Sequence, residues 1–165
     1  HPFSDGNGRT GRILNILYLI QQDLMGLPVL YLSKYIIEYK SDYYRLLREV
    51  TEYGNWSEWV LYVINGVAAT SRTTLEKIKQ ILALKQEAEQ ELKERLGSVF
   101  TRELNDLLFS YPYIKISVLE VHGIAKRQTA SVYLKKIEAA GWLRAMPIGR
   151  DIYFVNHRLM DLLTR

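Results

Sequence analysis

The chain has 165 residues, enough for one ordinary domain or two small ones, and 48% of them are hydrophobic, which excludes a disordered protein. Its apolar stretches are short and interrupted, so neither a transmembrane helix nor a secretion signal is predicted. The absence of cysteine excludes disulfides and cysteine-ligated zinc. We expect a cytoplasmic protein without a membrane partner.

The net charge of +4 is unevenly distributed along the chain. Residues 1–96 contain 12 Lys and Arg against 12 Asp and Glu, whereas residues 97–165 contain 10 against 6. The whole positive excess therefore lies in the last third. A basic segment raises the prior for nucleic-acid binding in that part of the chain.

The first twelve residues combine a histidine, a carboxylate and two arginines with three glycines. Glycines let backbone N–H groups approach an anion closely, and the apolar run that follows predicts a helix whose positive end would favour a phosphate. Arg9 and Arg12 are three apart, so both can face one phosphate chain. Asp5 is a hard oxygen ligand suited to Mg2+, and His1 has the pKa of a general base.

The whole string resembles the signature of the Fic family, HPFx(D/E)GNGRxxR, at every defined position. This resemblance implies that His1 deprotonates a Tyr, Thr or Ser hydroxyl of a target protein, which then attacks the α-phosphate of ATP and receives AMP. It implies that Asp5 holds Mg2+ and that Phe3 anchors the loop in the core. The implied nucleotide-phosphate ligands are Gly6, Asn7, Gly8, Arg9 and Arg12.

Gly8 favours adenylyl transfer, because some Fic relatives that transfer other groups have Lys at this position. Fic proteins also build half of their core upstream of the signature, and a catalytic base at a fraying terminus is poorly held. We therefore expect these residues to be the C-terminal portion of a longer protein, inactive as a fragment.

Residues 8–25 are apolar on nearly every face and predict a buried central helix that Gly26 ends. Two helices are predicted next, capped by Ser33 and Ser41. Residues 31–37 and 42–47 again resemble the Fic family, in which this region lines the adenine pocket. Tyr43 and Tyr44 are the adenine-side candidates, with core or rim packing as the alternative for either one.

Capping-box patterns at residues 55–58 and 73–76 predict two successive helices. The second, an amphipathic linking helix over residues 73–96, has an apolar stripe that needs a partner. That partner is either the Fic-like core or a second subunit, so a homodimer is left open.

Residues 97–165 predict three short helices over 101–110, 117–122 and 128–140, followed by strands over 142–146 and 151–155. This order resembles a winged helix-turn-helix domain with a β-hairpin wing. Its third helix and wing present DNA-binding candidates: Lys126, Arg127, Gln128, Thr129, Ser131 and Arg150. The alternative is a winged helix used for dimerisation or protein contact, with a solvated basic face.

The sequence therefore predicts a mainly α protein: the C-terminal part of a Fic fold over residues 1–72, a linking helix over 73–96, and a winged-helix domain over 97–165. The predicted activity is protein adenylylation with ATP and Mg2+. Two alternatives remain: a DNA-binding regulator whose Fic part senses a nucleotide, and a Fic enzyme that transfers another phosphate-containing group.

Overall fold

A computed structural model describes residues 2–164 as mainly helical, with a small three-stranded antiparallel sheet. The chain forms two compact units, of which one ends at Glu76 and the other begins at Lys77. The helices are α1 (Asn7–Gln21), α2 (Leu32–Glu38), α3 (Lys40–Tyr53), α4 (Trp56–Leu96), α5 (Arg102–Ser110), α6 (Ile116–Val121), α7 (Arg127–Ala139) and α8 (His157–Thr164). The strands are β1 (Tyr113–Ile114), β2 (Arg144–Ile148) and β3 (Asp151–Val155). No helix within residues 2–164 has the length and apolarity needed to cross a bilayer.

The helix that follows the signature ends earlier than predicted. Asp23 has a left-handed backbone (φ 54°), and its N–H donates to the Ile20 carbonyl at 3.1 Å. The Leu24 N–H donates to the Leu19 carbonyl at 3.0 Å, which completes a Schellman motif. The assignment of the helix end to Gly26 was wrong, because Asp tolerates the left-handed region when the C-terminal carbonyls are satisfied this way.

The two tyrosine-rich helices begin without the predicted serine caps. The N-cap residues are Tyr31 for α2 and Tyr39 for α3, and neither makes a side-chain cap hydrogen bond. Ser33 and Ser41 lie inside the first turns of the two helices. Both capping predictions were wrong by two residues, which is the usual scatter at helix ends.

One continuous helix, α4, replaces the two that the capping boxes predicted. Thr73 lies in its interior, where the Oγ1 hydroxyl donates to the Ala69 carbonyl at 3.1 Å. A threonine can make this hydrogen bond one turn back without starting a new helix. The second capping box was therefore a false signal.

The predicted burial of the helix after the signature was also wrong. No residue of α1 is buried, and Ile13, Leu17 and Tyr18 are exposed. A helix that is apolar all round is buried only where other elements cover each face. The described residues of the first unit leave this part of α1 uncovered.

The second unit has one continuous hydrophobic core. Ala88 and Leu92 of α4 belong to it, together with residues of α5, α6 and α7, Ile114 of β1 and Phe154 of β3. The residues predicted as a linking helix thus contribute to the core of the C-terminal unit. Thr101 caps α5, since its side chain accepts a hydrogen bond from the Leu104 N–H at 3.3 Å.

The sheet of the second unit has the strand order β1-β3-β2 and is antiparallel throughout. Phe154 lies opposite Ile114 on one side and Ala145 on the other. Strand β1 and helix α8 were not predicted. The sequence predicts nine core residues in this unit: Leu104, Leu107, Leu108, Leu119, Val132, Leu134, Ile137, Trp142 and Phe154. Val132 is the exception at 48% exposed, because Ala130, Leu134 and Ile137 define the buried face of α7.

Candidate functional site

The signature loop is held together by its own side chains. The Asn7 Nδ2 amide donates to the Phe3 carbonyl at 2.7 Å, and the Phe3 N–H donates to Asn7 Oδ1 at 3.0 Å. Gly6 is the N-cap of α1 in a left-handed conformation (φ 81°), which disfavours a Cβ there. These contacts turn the chain from the loop into the helix.

The helix begins without a side-chain cap. The first N–H groups of any helix lack intrahelical acceptors, and here the earliest intrahelical bond is donated by the Thr10 N–H to the Gly6 carbonyl at 2.9 Å. The N-terminus of α1 can therefore offer backbone N–H groups and a positive dipole end to an anion.

The two signature arginines fold back over the two glycines of this turn. An ideal Cβ on Gly6 would lie 3.6 Å from Arg9 Nη2, and one on Gly8 would lie 3.4 Å from Arg12 Nη1. Both guanidinium groups thus lie beside the uncapped N-terminus of α1. Cationic forks and backbone donors together suit a phosphate chain.

Asp5 organises the loop while keeping its carboxylate in water. Asp5 Oδ1 accepts from the Gly6 N–H at 2.6 Å, and Oδ2 pairs with Arg9 Nη2 at 3.1 Å. Both side chains of this pair are largely exposed, so the pair contributes little and its partners can exchange at low cost.

The signature loop and the two adenine-side tyrosines line one cavity of about 560 Å3. Tyr44 is exposed and Tyr43 half-buried, and their rings contact edge to face with centroids 5.3 Å apart. Every candidate nucleotide residue that the structure describes lines this cavity, and its remaining lining residues are Ser4, Ile36, Ile37, Lys40 and Leu47. Residues 40 apart in the sequence are thereby brought together.

Three residues of this lining were not predicted from the sequence, and they give the cavity an apolar side and an additional positive charge. Ile36 and Ile37 of α2 give it an apolar side, and Lys40 adds a cation from α3. The available signal was helical spacing, because Lys40 precedes Tyr43 and Tyr44 by three and four residues and so shares their face.

A larger cavity of about 840 Å3 also includes residues of the signature and has a mainly apolar lining. Tyr35, Tyr43, Trp59 and Tyr62 form a chain of ring contacts along it, with centroid distances between 5.2 and 6.2 Å. Gly66 is required here, because a Cβ would lie 2.8 Å from the Tyr35 ring. This aromatic cluster fixes α3 against α4 and so positions Tyr43.

Tyr62 is the most strongly perturbed titratable group of that cluster. Burial raises its pKa to about 12, with smaller contributions from Tyr35 and Asp42. Its hydroxyl donates to the Tyr39 carbonyl at 3.3 Å. The neutral phenol is therefore the form that the folded protein stabilises.

Two of the predicted roles concern the start of the signature. His1, the predicted base, lies outside the described residues. Phe3 was predicted to anchor the loop in the core, but its side chain is 52% exposed and contributes to the wall of the larger cavity. The anchoring of the loop comes instead from the hydrogen bonds between Asn7 and the Phe3 backbone.

Asp5 could hold a magnesium ion only together with further oxygen ligands, such as those of a bound phosphate chain. Among residues 2–164, no three Asp, Glu or His side chains converge in a way that could hold a metal. Mg2+ is usually bound by one or two carboxylates together with phosphate oxygens and water. A single exposed carboxylate beside a phosphate cradle matches that pattern.

The second unit brings together two of its six candidate DNA contacts. Arg127 of α7 and Arg150 of the β2–β3 turn line one cleft of about 330 Å3, beside an ion pair between Lys115 Nζ and Asp151 Oδ2 at 3.0 Å. Lys126, Gln128 and Thr129 are exposed at the start of α7, outside that cleft, whereas Ser131 is half-buried.

Comparisons with known families match both units. The Fic/DOC family model matches residues 1–19, which include the whole signature and most of α1. A second model, described as Protein adenylyltransferase SoFic-like, C-terminal domain, matches residues 84–159. That match begins inside α4, just before the core residues Ala88 and Leu92. The chain is therefore similar to the Fic/DOC family over its signature and to a SoFic-like C-terminal domain over residues 84–159, and the two matches together support the C-terminal portion of a Fic family protein.

Proposed function

We propose that the intact protein carrying this chain is a protein adenylyltransferase, which moves AMP from ATP to a Tyr, Thr or Ser hydroxyl of a target protein. The observation that carries this proposal is the shared cavity of about 560 Å3, which joins an uncapped helix N-terminus and two arginines to Tyr43 and Tyr44. A phosphate chain suits the first side and an aromatic base suits the second. The matched adenylyltransferase C-terminal domain supports the same activity.

The proposed step begins at the target hydroxyl. Its oxygen forms a bond to the α-phosphorus of ATP while its proton passes to His1, and the bond from that phosphorus to the bridging oxygen breaks. Pyrophosphate leaves with the electron pair of that bond. Phosphoryl-type transfer of this kind depends mainly on positioning and on stabilisation of developing charge.

The remaining roles follow from the geometry of the loop. Arg9, Arg12 and the first N–H groups of α1 would hold the β- and γ-phosphates. Asp5 would hold Mg2+, which when bound would neutralise phosphate charge. Arg9 would exchange its Asp5 partner for a phosphate at small cost, because the pair is exposed.

The proposal is tested with ATP that is radioactively labelled at either the α-phosphate or the γ-phosphate. The intact protein should label a target, or itself, from ATP carrying a radioactive α-phosphate and not from ATP carrying a radioactive γ-phosphate. Mass spectrometry should find the mass of AMP on the modified side chain. Transfer of the γ label would instead indicate phosphorylation, the other group-transfer alternative.

His1→Ala should lower the transfer rate by at least about 10^2–10^4-fold, because a positioned base acts in the transition state. ATP affinity should stay nearly unchanged. Near wild-type turnover in this variant would remove His1 from the role of base.

A second candidate function, duplex DNA binding, is favoured by the cleft that holds Arg127 and Arg150. We propose that residues 97–165 form a winged helix, in which α7 enters the major groove and Arg150 contacts a phosphate. The helices α5 to α7 followed by the β2–β3 hairpin support this assignment. The basic excess of these residues adds an electrostatic attraction to DNA.

Titration of the protein with mixed-sequence duplex DNA tests this second candidate. Binding should weaken steeply as salt rises, because neutralised phosphates release counterions, and Arg127→Ala should reduce the salt dependence. Absence of binding at low salt would refute it and leave protein contact as the role of this surface. Exposed Met146, Ile148 and Ile152 on the hairpin would then be the residues to test for self-association.

A further inference from the structure

The cavity that holds the signature is lined by a third cation, which comes from a different helix than the two signature arginines. Lys40 is the first residue of α3, whereas Arg9 and Arg12 lie on α1, and all three line the same cavity of about 560 Å3. Lys40 is exposed and carries a long, flexible stem.

The charges of this lining do not balance. Its charged residues are Asp5, Arg9, Arg12 and Lys40. Asp5 is paired with Arg9, and neither Arg12 nor Lys40 forms an ion pair with any residue in the part of the chain that the structure describes. Two unpaired positive charges thus face a shared space from different helices, an arrangement that attracts a polyanion.

The other two cations of α3, Arg45 and Arg48, do not combine an unpaired charge with a place in the cavity lining. Arg45 is held between Asp42 at 3.0 Å and Glu49 at 2.8 Å. Arg48, two turns beyond Lys40, is exposed but does not line the cavity. Lys40 is therefore the cation of α3 that combines an unpaired charge with a place in the site.

Helical spacing places Lys40 beside the aromatic side of the cavity. Tyr43 and Tyr44 follow it by three and four residues, so the three side chains share one face of α3. A nucleotide whose base lies against the tyrosines would have its phosphates between this face and the N-terminus of α1. A lysine at the start of α3 can reach the phosphate chain from there, and a triphosphate offers that lysine more negative charge than a monophosphate does.

We propose that Lys40 binds the phosphate chain of the nucleotide from the α3 side and selects nucleoside triphosphates over monophosphates. This inference rests on the proposed adenylyltransferase function. It means that a second helix, α3, contributes a phosphate-binding residue to the site.

The test compares dissociation constants for α,β-methylene ATP and for AMP, both with Mg2+, by calorimetry on the intact protein. Lys40→Met should weaken the triphosphate analogue by about tenfold or more and AMP by about twofold or less, because a charge-assisted contact to the longer phosphate chain is lost. Lys40→Arg should restore most of the affinity, and Arg48→Met should leave both affinities unchanged.

Each outcome decides the assignment. Unchanged triphosphate affinity in Lys40→Met would overturn the role of Lys40 and leave the proposed function standing, provided that wild type binds the analogue and transfers AMP. Equal losses in Lys40→Met and Arg48→Met would overturn it too, since the effect would then be one of net charge. Failure of the wild-type protein to bind the analogue would overturn both proposals. Circular dichroism of each variant should match wild type.

Discussion

The indole of Trp142 donates a hydrogen bond from Nε1 to Glu91 Oε2 at 3.0 Å, and so joins the segment after α7 to the last third of α4. Trp142 is almost fully buried, and the Arg158 guanidinium lies over its ring at 4.2 Å. Arg158 is itself paired with Glu87 of α4 at 2.9 Å. The C-terminal unit therefore needs α4 to satisfy a buried tryptophan.

This relationship predicts where the C-terminal domain can be cut. A fragment of residues 77–165 should unfold cooperatively, whereas residues 97–165 should be markedly less stable. The shorter fragment loses Ala88 and Leu92 from the core and leaves the Trp142 N–H without Glu91. Urea unfolding followed by tryptophan fluorescence measures both stabilities.

A pair of leucines on α4 supplies the control for that prediction. Within residues 77–165, Leu92→Ala should cost about 2–5 kcal/mol, as expected for a fully buried leucine. Leu82→Ala should cost little, because that side chain is 53% exposed. Equal stability of the two fragments, or of the two variants, would mean that α4 is not part of this core.

Asn7 is predicted to set the order of the signature loop. Asn7→Asp keeps the acceptor for the Phe3 N–H but loses the donor to the Phe3 carbonyl. Loss of that hydrogen bond should cost about 0.5–1.5 kcal/mol of loop stability. Amide exchange over residues 3–6 should therefore be faster, as measured by mass spectrometry. Asn15→Asp, in the middle of α1, should leave that exchange unchanged; a loop insensitive to Asn7→Asp would contradict the assignment.

Arg12 is predicted to recognise a terminal phosphate. Arg12→Ala should weaken ATP binding by about tenfold or more and AMP binding far less, because AMP lacks the phosphates that the guanidinium would contact. Binding of each nucleotide to the intact protein, followed by calorimetry, measures the two losses. If both nucleotides lose affinity equally, Arg12 is not placed at the end of the phosphate chain.

Tyr62 predicts a pH dependence of stability at high pH. Its pKa is about 12 in the folded protein against 10.0 for an unperturbed tyrosine, so the unfolded chain loses this proton first as pH rises. Below pH 10 the group adds no pH dependence; between 10 and about 12 the free energy of unfolding should fall. Because other tyrosines and lysines also titrate there, the test is the difference between wild type and Tyr62→Phe in urea unfolding at pH 9 and pH 11.5. A difference that does not narrow at the higher pH would contradict the raised pKa.

The sequence by itself determined the features that depend on neighbours within about four residues. The signature is readable as a string, and the helix over 101–110 was predicted where Thr101 accepts a hydrogen bond from the Leu104 N–H, three residues further on. The hairpin and the bounds of β3 were also predicted, but β2 covers Arg144–Ile148 rather than the predicted 142–146, so the turn is shorter and is centred on Gly149, which has a left-handed backbone. A local pattern was misleading where it fits two structures. The capping-box pattern at Thr73 is typical of a helix start, but Thr73 lies inside α4 and bonds to the carbonyl one turn back.

Only the tertiary structure decided which faces are covered and which distant residues meet. Burial of Ala130 rather than Val132, the uncovered apolar residues of α1, and the inclusion of Leu92 in the C-terminal core all depend on elements far away in the chain. The meeting of Lys40 with Arg12 in one cavity has the same origin. Hydrophobic periodicity states that a face needs a partner, but it does not name the partner, because burial is set by packing between elements rather than by spacing within one.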